Sequence, residues 1–321
     1  MPELDADLIV IGAGPAGLTA AQYGARANLK TLVVEQFAPG GQAALIDALE
    51  NYPGNVDLKS GDGEVIAKAR GGFDLMQDMH GQAKAFGASF VGETVGALEK
   101  EGDAFAAHLA DGRALKAAAV VLATGASHRK LGVPGEEKFA GRGVSYCATC
   151  DGAFFKGKKI FVVGGGDAAC DGAQYLSRLS PHVILVHRRD GFRAQPAVAD
   201  RVMRNANIEV RFNTVVEEIK GARKLDSLAL RRGEETYEES ADAVFIFAGM
   251  IPRSSLVSEG GLRADLDADG YVVTDQRMSS SVPGLFVAGD VRAGAFRQVV
   301  VAAGEGAVAA HSAAQHIEAR R

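Results

Sequence analysis

The sequence predicts an α/β protein that uses one βαβ unit twice, and three observations lead there. Glycine is in excess, 40 of 321 residues against a usual share of about 7%. Two glycine turns, Gly12–Gly17 and Gly164–Ala169, each lie between a short apolar run and a helix-compatible stretch. The chain is also long enough for two domains of ordinary size, as a repeated unit requires. Composition excludes several alternatives. The glycines follow no Gly-X-Y period, and 47% apolar with 23% charged residues is not the make-up of a disordered chain. A net charge of −5 argues against a nucleic-acid binder. The longest apolar runs, such as Ala117–Ala123 and Ala243–Ala248, are too short to span a bilayer. No signal peptide is visible, and three cysteines do not make a secreted disulfide framework. The expectation is a soluble cytoplasmic protein without membrane or nucleic-acid partners.

Each element follows in order. Asp7–Ile11 reads as a buried parallel strand. Beyond the first turn, an Ala-rich helix is expected from Pro15 to about Asn28, with proline suited to the first helical position. Thr31–Val34 is the next strand and ends in Glu35. Phe105–Ala123 is β-rich and closes in an apolar strand at Ala118–Ala123. The pattern then returns: strand Lys159–Val163, glycine turn, helix Cys170–Leu179, and strand Val183–Val186 ending in His187, Arg188 and Arg189. Ala243–Phe247 and Leu285–Ala288 are further buried strands, and Glu305–Arg321 is an Ala-rich helix.

A glycine turn between strand and helix has a specific physical use. In Gly12-Ala13-Gly14-Pro15-Ala16-Gly17, the first glycine makes the turn and the second lets backbone approach a pyrophosphate. The third lets the helix pack on the strand, and the helix N-terminus supplies partial positive charge. Glu35 can accept hydrogen bonds from ribose hydroxyls and would repel a 2′-phosphate, so the first site suits FAD or NAD. In the second copy Gly164, Gly166, Asp167 and Ala168 form the turn, and Ala169 takes the third glycine's place, an accepted variant. Here His187, Arg188, Arg189 and Arg193 replace the acid. Guanidinium groups suit a 2′-phosphate, which points to NADPH rather than NADH; a solvated basic loop is the plain alternative. Two Rossmann-like dinucleotide-binding units are therefore expected.

Cys147-Ala-Thr-Cys150-Asp151 precedes the second unit. Cysteines at this spacing can form a small redox disulfide, and Asp151 beside them could relay a proton. Zinc would need four ligands, and only Cys170 and scattered histidines remain. Two inert buried thiols are the other alternative. Cys170, early in the second helix, reads as a small buried hydrophobe.

Taken together, these residues resemble the bacterial-type, low-molecular-weight thioredoxin reductases, and the likeness runs along nearly the whole chain. Gly40-Gly41-Gln42, Glu50-Asn51-Tyr-Pro-Gly54 and Ala123-Thr124-Gly125 look like that family's flavin-domain segments. His187-Arg-Arg-Asp-Gly-Phe-Arg193-Ala194 is similar to its NADPH signature, and Gly284–Asp290 followed by Arg297-Gln298 to its C-terminal flavin segment. The resemblance implies a split FAD domain, residues 1–125 and 247–321, with an NADPH domain, 126–246, inserted between and carrying the cysteine pair. It implies that Asp290 contacts the ribityl chain, Arg297 and Gln298 the flavin ring, and that Gly289 belongs to a flavin-lining segment. Hydride from NADPH would reduce FAD, FAD would reduce the Cys147–Cys150 disulfide, and the dithiol would reduce thioredoxin. A homodimer is implied, and so is rotation of the inserted domain about hinges near Gly125 and Gly249.

Phe154 and Phe155 follow the pair and are either a partner contact or core. Two features depart from the family. Val56–Gly72 looks longer than the usual connection and is expected to be a surface loop. Cys170-Asp171 stands where acidic residues are common. The nearest rival is an NADPH-dependent reductase of another small disulfide or thioredoxin-like partner. The hydroperoxide-reductase flavoprotein would carry a further N-terminal redox domain, and ferredoxin–NADP reductases of this fold lack the cysteine pair. A flavin-bound redox sensor is a different class, which the complete hydride-to-disulfide relay disfavours.

Overall fold

A computed structural model describes residues 4–46, 49, 51–59, 66–258 and 262–320. The chain divides into two compact units, 1–127 with 251–321 and 128–250.

The first unit is organised on a seven-stranded sheet. Strands Ser89–Gly92, Thr31–Glu35, Ala6–Ile11 and the second half of Ala114–Leu122 lie parallel, with Leu285–Val287 beyond. Ala104–Leu109 pairs antiparallel with the first half of Ala114–Leu122, and Val95–Glu101 with Ala104–Leu109. The parallel strands are nearly continuous Val, Ile, Leu and Ala because both faces are covered. One face buries Leu8, Val10, Val33 and Val121 beneath the helices; the other buries Ile9, Ile11, Val120 and Leu122. Helix Pro15–Arg26 packs against the C-terminal helix Val299–Glu318. At their crossing a Cβ on Gly306 would lie 2.1 Å from the Ala16 carbonyl oxygen, so the two backbones touch.

The C-terminal helix starts six residues before the expected Glu305. Val299–Val301 and Gly304 are weak helix formers, and burial against the first helix outweighs that propensity. The Val56–Gly72 segment also differs from a plain loop. Val56–Lys59 pairs antiparallel with Ile66–Ala69, while Ser60–Gly63, like Glu50, lies outside the described residues.

The second unit carries a five-stranded parallel sheet in the order Val144–Ser145, Ala243–Ile246, Ile160–Val163, Val183–Val186, Ile208–Arg211. A three-stranded antiparallel sheet, Thr214–Lys220, Ser227–Arg232 and Glu235–Ser240, follows. Its helix runs Asp167–Ser177, three residues ahead of the expected Cys170, with extended Gly166 as cap. The helix N-terminus thus opens directly on the glycine turn.

Both units close on themselves where the chain enters and leaves. In the first, Arg253 N–H donates to the Gly125 carbonyl at 2.9 Å and Thr124 Oγ1 donates to the Arg253 carbonyl at 2.7 Å. In the second, Arg129 N–H donates to the Gly249 carbonyl at 2.8 Å. No helix among the described residues is long and apolar enough to cross a membrane.

Candidate functional site

In the first unit, the carboxyl ends of adjacent parallel strands collect most of the expected flavin-site residues. Gly12 follows its strand at φ +101°, and a Cβ there would lie 2.4 Å from the Ala123 carbonyl oxygen, so only glycine fits. Gly17 is equally closed, 1.8 Å from the Gly12 oxygen. Gly14 is the opposite: a Cβ would meet nothing within 4 Å. The first and third glycines serve packing, and the second leaves open backbone at the N-terminus of helix Pro15–Arg26, next to Ala16. Gly41 abuts this turn from the other side, and Gly40 N–H donates to the Ala13 carbonyl at 2.7 Å. Glu35 accepts from Ala13 N–H at 2.7 Å and from Phe37 N–H at 3.0 Å, which fixes its carboxylate at the edge of the turn.

Farther along, Gln42 Nε2 donates to the Ala126 carbonyl at 2.5 Å and Asn51 Nδ2 to Gln298 Oε1 at 2.6 Å. Arg297 lies over the Tyr271 ring, 4.5 Å from its centroid. The half-buried Asp290 carboxylate accepts no hydrogen bond among the described residues. Burial holds it above the ordinary carboxylate range, with Glu305 adding to the rise and Arg297 opposing it. Open backbone at Gly14 and a carboxylate at Asp290 that accepts no hydrogen bond among the described residues together suit a ligand with a pyrophosphate and sugar-like hydroxyls, as FAD has.

The second unit repeats the logic with opposite charge. A Cβ on Gly164 would lie 2.6 Å from Ala169 Cβ, while one on Gly166 would meet nothing within 4 Å. Asp167 is committed to structure: its carboxylate accepts from Gln195 N–H at 2.7 Å and Gln195 Nε2 at 2.8 Å, strapping the basic loop to the turn. Arg193 N–H and Ala194 N–H both donate to the Gly165 carbonyl, at 2.6 and 3.1 Å. The basic cluster divides. Arg188, Arg189 and Arg193 are exposed and make no ion pair among the described residues, as a 2′-phosphate site requires. His187 is 5% exposed, its ring turned under the glycine turn. Burial lowers its pKa, and the three arginines add to that. It carries no positive charge to a phosphate at neutral pH.

Cys147 and Cys150 form a disulfide, with Cα atoms 5.4 Å apart. Cys147 caps the short helix Ala148–Asp151; its Sγ accepts from Cys150 N–H at 3.2 Å, a contact that favours a sulfur anion on reduction. Cys150 is exposed and Cys147 half-buried. The Asp151 carboxylate, half-buried, has no hydrogen-bond partner among the described residues and borders a pocket of about 130 Å³ with Ser145 and Phe154. Phe154 is 81% exposed, whereas Phe155 packs edge-on against Phe245. The third cysteine, Cys170, is wholly buried, and burial pushes its thiol up to about 12. No group of three metal-ligating side chains occurs among the described residues.

Two supports were not expected from sequence. Glu136, 1% exposed, accepts from Leu131 N–H, Gly132 N–H and the Tyr146 hydroxyl at 2.9, 2.7 and 2.7 Å, bracing the residue before Cys147. Glu305 accepts from Gly289 N–H at 2.8 Å and pairs with Arg292. The available signal was that Glu305 is the lone charged residue in the apolar run Val299–Ala310.

Comparison with known proteins agrees with this geometry. The chain is 50% identical over 319 residues to the thioredoxin reductase of Treponema pallidum, covering 98% of each chain. It is 42% identical to that of Bacillus subtilis, over 97% of this chain and 95% of that one. Its fold matches the crystal structure of Lactococcus lactis thioredoxin reductase with a TM-score of 0.90, at 38% identity, over 98% of this chain and all of that one. A bacillithiol disulfide reductase from Bacillus cereus, 21% identical with a TM-score of 0.77, shares the fold. The family model for pyridine nucleotide-disulphide oxidoreductases matches residues 6–306. Two glycine turns of opposite charge, a disulfide and a match spanning nearly the full chain place this protein in the pyridine nucleotide-disulphide oxidoreductase family.

Proposed function

We propose that this protein is an NADPH-dependent thioredoxin-disulfide reductase, a flavoenzyme using FAD. The observation that carries the reading is the Cys147–Cys150 disulfide, with Cys150 exposed, in the unit that holds the basic glycine-turn site. FAD, when bound, supplies an acceptor for hydride and a two-electron donor for a disulfide. The split unit, 1–125 with 247–321, is the FAD-binding part; Gly14, Glu35, Gly41, Thr124 and Asp290 line the site, with Gln42, Asn51, Arg297 and Gln298 on the ring side. The inserted part, 126–246, binds NADPH through Gly166, Ala168, Arg188, Arg189 and Arg193.

The chain's own chemistry begins with the reduced pair. One of the two thiolates attacks a sulfur of the partner disulfide and expels the other partner sulfur as a thiolate. The second cysteine attacks the resulting mixed disulfide, which re-forms Cys147–Cys150 and leaves the partner as a dithiol. Two electrons pass to the partner, and two protons follow them. Asp151 moves one of these protons at the cysteine sulfurs. Exposed Phe154 beside the pair supports a protein partner over a small disulfide, because exposed aromatics anchor interfaces. The protein works in the cytoplasm as a homodimer.

The test is oxidation of NADPH by the purified yellow protein with and without oxidised thioredoxin. The wild type turns over only with thioredoxin, and Cys150→Ser abolishes that turnover. No thioredoxin-dependent oxidation by the wild type sinks the proposal; oxidation surviving Cys150→Ser points to a simple flavin reductase.

A further inference from the structure

The C-terminal helix buries one carboxylate among alanines and glycines. Glu305 is 7% exposed, and its two oxygens are used differently. Oε2 accepts from the backbone N–H of Gly289 at 2.8 Å, and Oε1 pairs with the Arg292 guanidinium. Gly289 stands directly before Asp290, at φ +79°, with a Cβ position 3.0 Å from Ala16 Cβ. The turn carrying Asp290 is therefore wedged between the first helix and the last, and Glu305 holds its amide from the helix side.

A buried ion pair is weak evidence of a purely stabilising role, since apolar residues of similar volume serve as well or better. Arg292 spends other donors on the Ala293 carbonyl at 3.2 Å and on Thr274 Oγ1 at 3.5 Å, yet its Nε is buried with no partner among the described residues. The contact to the Gly289 amide, at 2.8 Å, has ordinary hydrogen-bond length. Glu305 reaches the Asp290 turn through the Gly289 amide, so any effect on a ligand passes through the turn it holds.

We propose that Glu305 is a positioning residue for FAD: by accepting from Gly289 N–H it sets the turn so that the Asp290 carboxylate faces the flavin's sugar-alcohol hydroxyls, while Arg292 neutralises the buried charge. The proposal rests on the FAD reading of this site and not on the identity of the disulfide partner.

Two double variants isolate the contact. Both replace Arg292 by Met; one adds Glu305→Gln, which keeps an acceptor for Gly289 N–H, and the other Glu305→Met, which removes it. Neither leaves an unpaired buried charge, so both are built to fold, and a thermal melt of each verifies this. FAD release is read from flavin fluorescence on serial dilution of the flavin-loaded full-length protein. The Met/Met variant is expected to lose FAD at about tenfold or more lower dilution than the Gln/Met variant, from loss of one buried hydrogen bond and a misplaced carboxylate. Equal retention of FAD by the two variants overturns the proposal, and so does a shared loss that Gln fails to rescue. Thioredoxin plays no part in this measurement, so failure of the reductase reading and failure of the Glu305 assignment are separately visible.

Discussion

The imidazole of His187 fills the space that any side chain at residue 165 would need: a Cβ on Gly165 would lie 2.3 Å from its Cε1. The middle glycine of the second turn is thus reserved for a buried ring. Gly165→Ala is expected to destabilise the protein by about 1–3 kcal/mol, the usual cost of overpacking. It should also weaken NADPH binding, because the displaced ring underlies the basic loop. Thermal melts and NADPH titration check both.

The same packing sets a pH dependence. Burial, aided by Arg193, Arg189 and Arg188, lowers the His187 pKa from 6.5 in the folded protein. In the unfolded chain the ring takes up a proton as pH falls through 6.5, while in the folded one it stays neutral to lower pH. The unfolded state then binds more protons, so stability is fully present above 6.5 and is lost as pH falls below it toward the lowered value. Melting temperature should fall on acidification, and His187→Gln should flatten that slope. His80 and His316 are lowered too, so the difference between variant and wild type is the informative quantity.

Arg188 and Arg189 are exposed and unpaired among the described residues, which is costless for them in water and useful only with an anion present. Replacing both by alanine should raise KM for NADPH about tenfold or more, from loss of charge-assisted hydrogen bonds. KM for NADH should hardly move. Steady-state kinetics with the two nucleotides measures the ratio.

Cys170 should be silent to thiol reagents in the native protein, because it is wholly buried and its pKa is pushed up to about 12. After reduction, an aromatic disulfide reagent should count two fast thiols per chain, and the third cysteine only after denaturation. Three fast thiols would show that the second unit opens readily.

The site was legible in sequence where its chemistry is carried by neighbours along the chain. Both glycine turns, Glu35, the arginines and the Cys147–Cys150 spacing are local patterns, each with its own physical reason. What escaped is set by packing between distant segments. The two glutamates, Glu136 and Glu305, become supports only when folding brings an amide or hydroxyl against them. His187 sits in a basic run but is drawn inward by Gly165, which no charge count reveals. The C-terminal helix begins at Val299 because the first helix covers it, against the preference of its own valines and glycines.

Each unit closes on itself at the points where the chain passes from one to the other, and this fixes an order of events during synthesis. Residues 128–250 are contiguous, so the second unit has every contact partner once they have left the ribosome. The first 127 residues emerge earlier but must wait, lacking strand Leu285–Val287 and the helix Val299–Glu318 that packs on helix Pro15–Arg26. Until that helix arrives, the side of helix Pro15–Arg26 that it packs against stays exposed. The middle of the chain is therefore the first part able to finish folding, and the amino-terminal part is the segment most in need of protection from aggregation while it waits.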